Sequence, residues 1–161
     1  MLAVKNFIAL LAFLLLQNSS SIIAQSVNAK GKLIIVGGGS MPDTMYQLFA
    51  KSIGGKDQSV VVIPTATNDS AINAGAHLTR FKKEGFTNLI TVHARSKDAA
   101  DAPAFIKAIQ NAKGIYFSGG DQSRIADAFL GTQVHAAMLD LFKRGGVFMG
   151  TSAGATIMGT L

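Results

Sequence analysis

Cysteine is absent from the 161-residue chain. That gap removes disulfides, thiolate metal sites and a cysteine nucleophile in one step. Long basic runs are missing too. Lysine and arginine outnumber the acids 15 to 9, for a formal charge of +6, yet the longest cluster is Lys82-Lys83. A nucleic-acid stripe is therefore excluded. The scattered cations read as a solvated surface, with an acidic substrate or an anionic surface as the alternative. Nucleotide signatures are lacking as well. Gly37-Gly38-Gly39 would place the third glycine of G-x-G-x-x-G on Pro42, no acid closes the next apolar run, and no Gly-Lys-Ser/Thr occurs. Neither an internal repeat nor a low-complexity linker interrupts the chain, which fits one domain.

The longest apolar run, Phe7 to Leu16, is too short to span a bilayer. It follows Lys5 and precedes the polar stretch Gln17 to Ser21, and Ile22-Ile23-Ala24 ends on a small residue. The pattern is that of a signal peptide over residues 1–24, cleaved after Ala24, with residues 25–31 as a leader. The alternative is an uncleaved anchor. Either reading expects export, to the periplasm or outside the cell, and the missing cysteines are compatible with it.

Beyond the leader, five apolar segments recur at similar spacing: Lys32 to Val36, Val60 to Ile63, Leu89 to Val92, Ile115 to Phe117 and Val147 to Met149. They lack polar alternation, as strands buried on both faces do. Helical patterns fill the gaps. One opens at Pro42-Asp43 and stops at Gly54-Gly55, one spans Asn68 to Glu84 with Gly85 as its cap, and one covers Pro103 to Asn111. Two more cover Asp121 to Phe129 and the Val134-Met138-Leu141-Phe142 stripe. Strict alternation predicts βαβ units, hence an α/β fold of three layers (α/β/α) with a mostly parallel, doubly wound sheet. Ligands bind such sheets beyond the carboxyl ends of the strands. Three of the five loops there are rich in glycine.

One of those loops holds a serine between glycines. Gly150-Thr151-Ser152-Ala153-Gly154 has the nucleophile-elbow spacing G-x-S-x-G, with an apolar strand before it and helix formers after. So tight a turn pushes the serine out over the sheet, and the residues two before and two after must be small. The Ala153 N–H then points where an oxyanion would form, and the helix start adds its positive end. The ordinary alternative is a glycine-rich turn with a capping serine. A second oxyanion donor is expected from the backbone of Gly120 or Asp121, with Gln122 hydrogen-bonding substrate. Asp121 is equally a helix N-cap, and both roles are compatible. His77 and His135 lie inside helical patterns. His93, just past the third strand, is the better-placed histidine, although a polar loop residue is its ordinary explanation.

Residues 115–125 (IYFSGGDQSRI) followed by residues 145–158 (GGVFMGTSAGATIM) resemble cyanophycinase, in the S51 class of serine peptidases; KLIIVGGGS and VVVIPTAT are similar to that family's first two strands. The related aspartyl dipeptidases tend to carry Gly-Gly-Asn-Thr where this chain has Gly119-Gly120-Asp121-Gln122. The resemblance implies a fold like that of class I glutamine amidotransferases, with serine in place of cysteine. It implies hydrolysis of peptide bonds after β-linked aspartate, in a polymer of aspartate and arginine. Ser152 would be the nucleophile, Gln122 a substrate contact and the Gly120-Asp121 backbone the oxyanion region. No metal or cofactor is implied, and a homodimer is left open. The family's triad histidine and acid lie downstream of the elbow. Residues 32–161 therefore read as the amino-terminal portion of the domain, with the carboxy-terminal part missing. Competing expectations are a non-catalytic binding module on the same scaffold and an α/β-hydrolase esterase. The esterase usually has a histidine before its early glycine run, which Gly37-Gly38-Gly39 lacks.

Overall fold

The computed structural model describes residues 30–160. The expected signal peptide lies outside the described residues, as does most of the leader. Five strands appear where the apolar segments lie: β1 (Lys32–Val36), β2 (Val60–Ile63), β3 (Leu89–Thr91), β4 (Gly114–Phe117) and β5 (Val147–Thr151). All are parallel and lie in one sheet in the order β1-β5-β4-β2-β3.

The chain winds in one direction and then returns. From β1 it crosses to β2 through α1 (Asp43–Ile53), and from β2 to β3 through α2 (Asp69–Asn73) and α3 (Ala76–Lys83). It then reverses, reaching β4 through α4 (Lys97–Ala100) and α5 (Pro103–Asn111), and β5 through α6 (Gln122–Phe129) and α7 (Gln133–Lys143). Right-handed crossovers put helices of the two directions on opposite faces. The two cores agree. Tyr46, Phe49 and Ile53 of α1 and Phe81 of α3 pack on Val60, Val62, Tyr116 and Met149. Side chains of α5, α6 and α7 pack on Val61, Ile63, Ile115, Phe117 and Phe148. The sheet is thus doubly wound between two helical layers. A last short helix, α8 (Ala153–Ile157), leaves β5 on the α5–α7 side.

Three expectations change. The helix expected over Asn68 to Glu84 is two helices, because Gly75 takes a left-handed φ of 72° and redirects the chain. The Asn68 side chain caps the first, accepting the Ala71 N–H at 2.9 Å. The short helix α4 was not expected; Ser96 caps it at the Ala99 N–H. Finally, β1 is not buried on both faces. Among the described residues it is an edge strand, and Leu33 and Ile35 are 44% and 65% exposed. The central strands β2 and β4 are buried throughout, as their sequences require.

Strand order also fixes where a site can lie. β4 and β5 lead to helices on one face, while their neighbours β2 and β1 lead to helices on the other. Crevices therefore open at the carboxyl ends between β5 and β1 and between β4 and β2.

Candidate active site

Ser152 stands at the carboxyl end of β5, exposed, with φ 51° and ψ −120°. Among the described residues it is the only non-glycine with positive φ. Such a backbone costs about 1–3 kcal/mol and persists only where its surroundings hold it. Here they do. The Ser152 N–H donates to the Val36 carbonyl at 3.1 Å, at the end of β1. The Ser152 carbonyl accepts from the Ala155 and Thr156 N–H groups at 2.8 and 3.0 Å. Thr151 Oγ1 donates to the Gly37 carbonyl at 3.1 Å.

The flanking glycines are demanded by contact. A Cβ on Gly150 would lie 2.2 Å from the Gly154 carbonyl oxygen, and one on Gly154 would lie 2.1 Å from the Phe117 carbonyl oxygen. The expectation that both positions must be small thus has a backbone cause: β5, α8 and the end of β4 meet without room for a methyl. Ala153 is the first residue of α8, so its N–H has no carbonyl four residues back within the helix.

The loop after β4 lies alongside. A Cβ on Gly119 would fall 3.4 Å from Ser152 Cβ. Thr67, on the loop after β2, ties this segment down: its Oγ1 donates to the Gly119 carbonyl at 3.0 Å and meets Ser118 Oγ at 3.1 Å. Gly120, at φ 139°, passes so close to β2 that a Cβ would sit 2.2 Å from the Ala66 carbonyl oxygen. That same oxygen accepts the Asp121 N–H at 3.0 Å. The expected Asp121 donor is therefore corrected: its N–H is spent inside the protein. Its carboxylate caps α6 through the Ser123 N–H at 2.9 Å and Ser123 Oγ at 2.7 Å, which holds it below its ordinary pKa. Gln122 is the exposed first residue of α6.

None of the three histidines of the chain bonds Ser152. His93 Nδ1 meets Thr65 Oγ1 at 3.0 Å, and its Nε2 lies 3.6 Å from Asp69 Oδ1. It follows β3, three strand positions from β5, roughly 14 Å across the sheet. A base must come within about 3 Å. His77 Nε2 meets Thr91 Oγ1 at 2.9 Å, and His135 Nδ1 accepts from the Gly131 N–H at 3.3 Å. Burial lowers the pKa of both His77 and His93.

One element of this region was missed by sequence reasoning. Arg95 reaches from the loop after β3 to the Thr65 and Thr67 carbonyls and to Asp69, stapling the loop that holds Thr67. Asp69 is held below its ordinary pKa chiefly by that bond. No short motif marks Arg95; the only signal was a Thr/Asn/Asp loop facing a polar loop. Among the described residues, no cluster of histidine, aspartate and glutamate is arranged to hold a metal.

A serine on a strand–turn–helix elbow above a parallel sheet is an arrangement characteristic of nucleophilic hydrolases. The model of peptidase family S51 matches residues 33–161, and the chain belongs to that family. It is 27% identical over 116 residues to a cyanophycinase of Geminocystis herdmanii, a match covering 71% of this chain and 43% of that protein. A cyanophycinase of Trichormus variabilis is 24% identical over the same length, covering 71% and 39%. The chain thus aligns with less than half the length of these relatives. Among solved structures, a peptidase from an acI-B1 Actinobacterium superposes with a TM-score of 0.71 at 24% identity, covering 83% of this chain and 58% of that one. That likeness confirms the α/β fold.

Proposed function

We infer that this chain carries the nucleophile half of an exported serine-type peptidase, acting on cyanophycin or related β-aspartyl peptides. The observation that carries the reading is Ser152 at φ 51°, exposed, wedged between two glycines that admit no side chain. In this reading Ser152 Oγ attacks the scissile carbonyl carbon. The carbonyl π electrons move to oxygen, and the tetrahedral centre then expels the amine, leaving an acyl-serine that water hydrolyses.

Support for the oxyanion site comes from two amides. One is Ala153, at the start of α8. The other is Gly120. Its peptide is trans, so its N–H points opposite to the Gly119 carbonyl, which Thr67 holds on the β2 side. Sheet order puts β5 on the other side of β4, and in this reading that N–H is the one turned toward the serine. Gln122 is assigned a substrate contact on the resemblance alone. The proton of Ser152 needs a base, and His93 is too far. The base and its acidic partner are assigned downstream of the elbow, as the family resemblance implies.

A serine-directed fluorophosphonate tests the nucleophile: the full-length protein should be labelled, and Ser152→Ala should not be, at unchanged helix content. Absence of labelling in the wild type favours a non-catalytic binding module. Release of Asp-Arg dipeptide tests the substrate; cleavage of esters with β-aspartyl peptides left intact sinks it. Export is tested by sequencing the amino terminus of the secreted protein, which should begin at Gln25.

A further inference from the structure

At the end of the sheet far from Ser152 lies a surface to which nothing above gives a role. Each of the five strands enters the sheet past an exposed lysine. Lys30 precedes β1, Lys56 precedes β2 and Lys113 precedes β4, while Lys83 ends the helix before β3 and Lys143 ends the helix before β5. In the sequence they stand 26 to 30 residues apart, about the length of one strand–helix unit. No basic run marks them; parallel winding brings them to one pole.

Backbone bonds knit the entry segments into a single platform. In sheet order, the Lys32 N–H donates to the Gly146 carbonyl at 3.1 Å and the Val147 N–H to the Lys113 carbonyl at 3.1 Å. The Lys113 N–H donates to the Ser59 carbonyl at 2.8 Å, and the Thr87 N–H to the Lys56 carbonyl at 3.1 Å. Neighbouring strands lie about 5 Å apart, so the platform spans roughly 20 Å.

Charge is divided along the sheet. Beyond the carboxyl ends, Arg95 is paired with Asp69, and Arg124 lies 3.8 Å from Asp121. At the entry pole the arrangement differs. Two of its three acids are already engaged, Glu84 with Arg80 and Asp140 with Arg144. Among the described residues, none of the five lysines has a carboxylate partner. Lys56 instead donates to the Glu84 carbonyl. Helix ends account for Lys83 and Lys143, whose charges suit the last carbonyls of α3 and α7. They do not account for Lys30 and Lys113, which stand outside the helices. Gathering like charges costs the folded state, and a partner of opposite sign offsets that cost.

The side chains say what kind of partner. The unpaired cations are lysines, mobile point charges that suit a diffuse anionic surface better than a fixed bidentate site. The exposed large apolar side chains are Leu33, Ile35, Leu48 and Ile90. None is aromatic, so unpaired bases would have no ring to stack on. The apolar run Phe7 to Leu16 joins the fold through Lys30. The stretch of membrane character is thus tethered to this pole and not to the other.

We propose that the entry pole docks on an anionic phospholipid bilayer, which leaves Ser152 and its loops facing away from the lipid. The proposal stands apart from the peptidase reading.

The test is flotation of the full-length protein with vesicles of phosphatidylcholine, with and without about one-third phosphatidylglycerol. At roughly 0.1 M salt the anionic vesicles should bind at least about tenfold tighter than the neutral ones. Roughly 1 M salt should release the protein, because screening then acts within about 3 Å. Each lysine near such a surface is worth about fivefold, so Lys30→Gln, Lys113→Gln and Lys143→Gln together should weaken binding about a hundredfold. Lys97→Gln, an exposed change beyond the carboxyl end of β3, should leave binding as it is. Equal binding to the two kinds of vesicle overturns the proposal. Binding that survives high salt does so too, because it credits the apolar run. A triple variant that binds like the wild type, or a Lys97→Gln protein weakened as much as the triple, is equally fatal. Tighter binding to single-stranded RNA or to poly-aspartate than to the anionic vesicles makes the pole a polyanion site and refutes a lipid one. If circular dichroism shows that the triple variant does not fold, the three changes are made singly, each with about a fivefold loss expected. Fluorophosphonate labelling should be the same in the triple variant as in the wild type. Vesicle binding without labelling sinks the peptidase reading alone, and labelling without vesicle binding sinks the docking surface alone.

Discussion

At the scale of the residue, Ser152 holds a backbone conformation that glycine would adopt without strain. Ser152→Gly should therefore raise stability by about 1 kcal/mol while abolishing fluorophosphonate labelling. Denaturant unfolding checks the first and gel fluorescence the second; a destabilised glycine variant would show that the serine is not strained. Gly154→Ala should lower stability instead. Its methyl would meet the Phe117 carbonyl at 2.1 Å, and backbone cannot step aside as a side chain can. A loss of roughly 2–3 kcal/mol is expected, together with loss of labelling, because the turn must open. A fully stable alanine variant would mean that α8 does not pack against β4 as described.

Among the elements, the strand ends matter through what bridges them. Thr67 crosses from the β2 loop to the β4 loop by way of Ser118 and Gly119, and so orients the Gly120 amide. Thr67→Val keeps the shape and removes the hydroxyl. It should cost about 1–2 kcal/mol of stability. Under the proposed oxyanion role of that amide, the full-length protein should lose about tenfold in kcat with KM little changed. A fall confined to KM would instead place Thr67 in substrate binding. Much at this scale was legible in the sequence. Val60–Ile63 reads as a central strand because it has no polar position to expose. The elbow reads through its two glycines and their spacing. Other features could not be read. Lys32–Val36 has the same apolar composition as β2, and only sheet order makes it an edge. Gly75 breaks a helix whose apolar stripe runs through it. The Asp121 amide looked available because its acceptor, Ala66, lies on a distant segment that no local pattern connects to it.

For the molecule as a whole, alkaline pH is the informative stress. Burial pushes the Tyr116 phenol up to about 12 and raises that of Tyr46 as well. In the unfolded chain both would ionise near the ordinary value of about 10. A raised folded pKa contributes stability that is fully present below the unfolded value and is lost as pH rises toward the folded one. The protein should thus hold its stability up to about pH 10 and lose it steadily above. Tyrosinate absorbance and helical circular dichroism should change together, because burial disfavours the phenolates while the aromatic cluster around Phe81 stays packed. Absorbance rising near pH 10 with dichroism intact would contradict the burial.

The pairing of β1 with β5 has a consequence during synthesis. Lys32 aligns with Val147 and Val36 with Thr151, so among the described strands β1, the first to be made, pairs with β5, the fifth. Until then β1 is a bare ribbon with Leu33 and Ile35 on display, and the Val36 carbonyl that anchors the serine turn has nothing to hold. The serine turn is therefore assembled only once β5 has been made, and until then β1 is the strand that a chaperone shielding nascent apolar segments would hold.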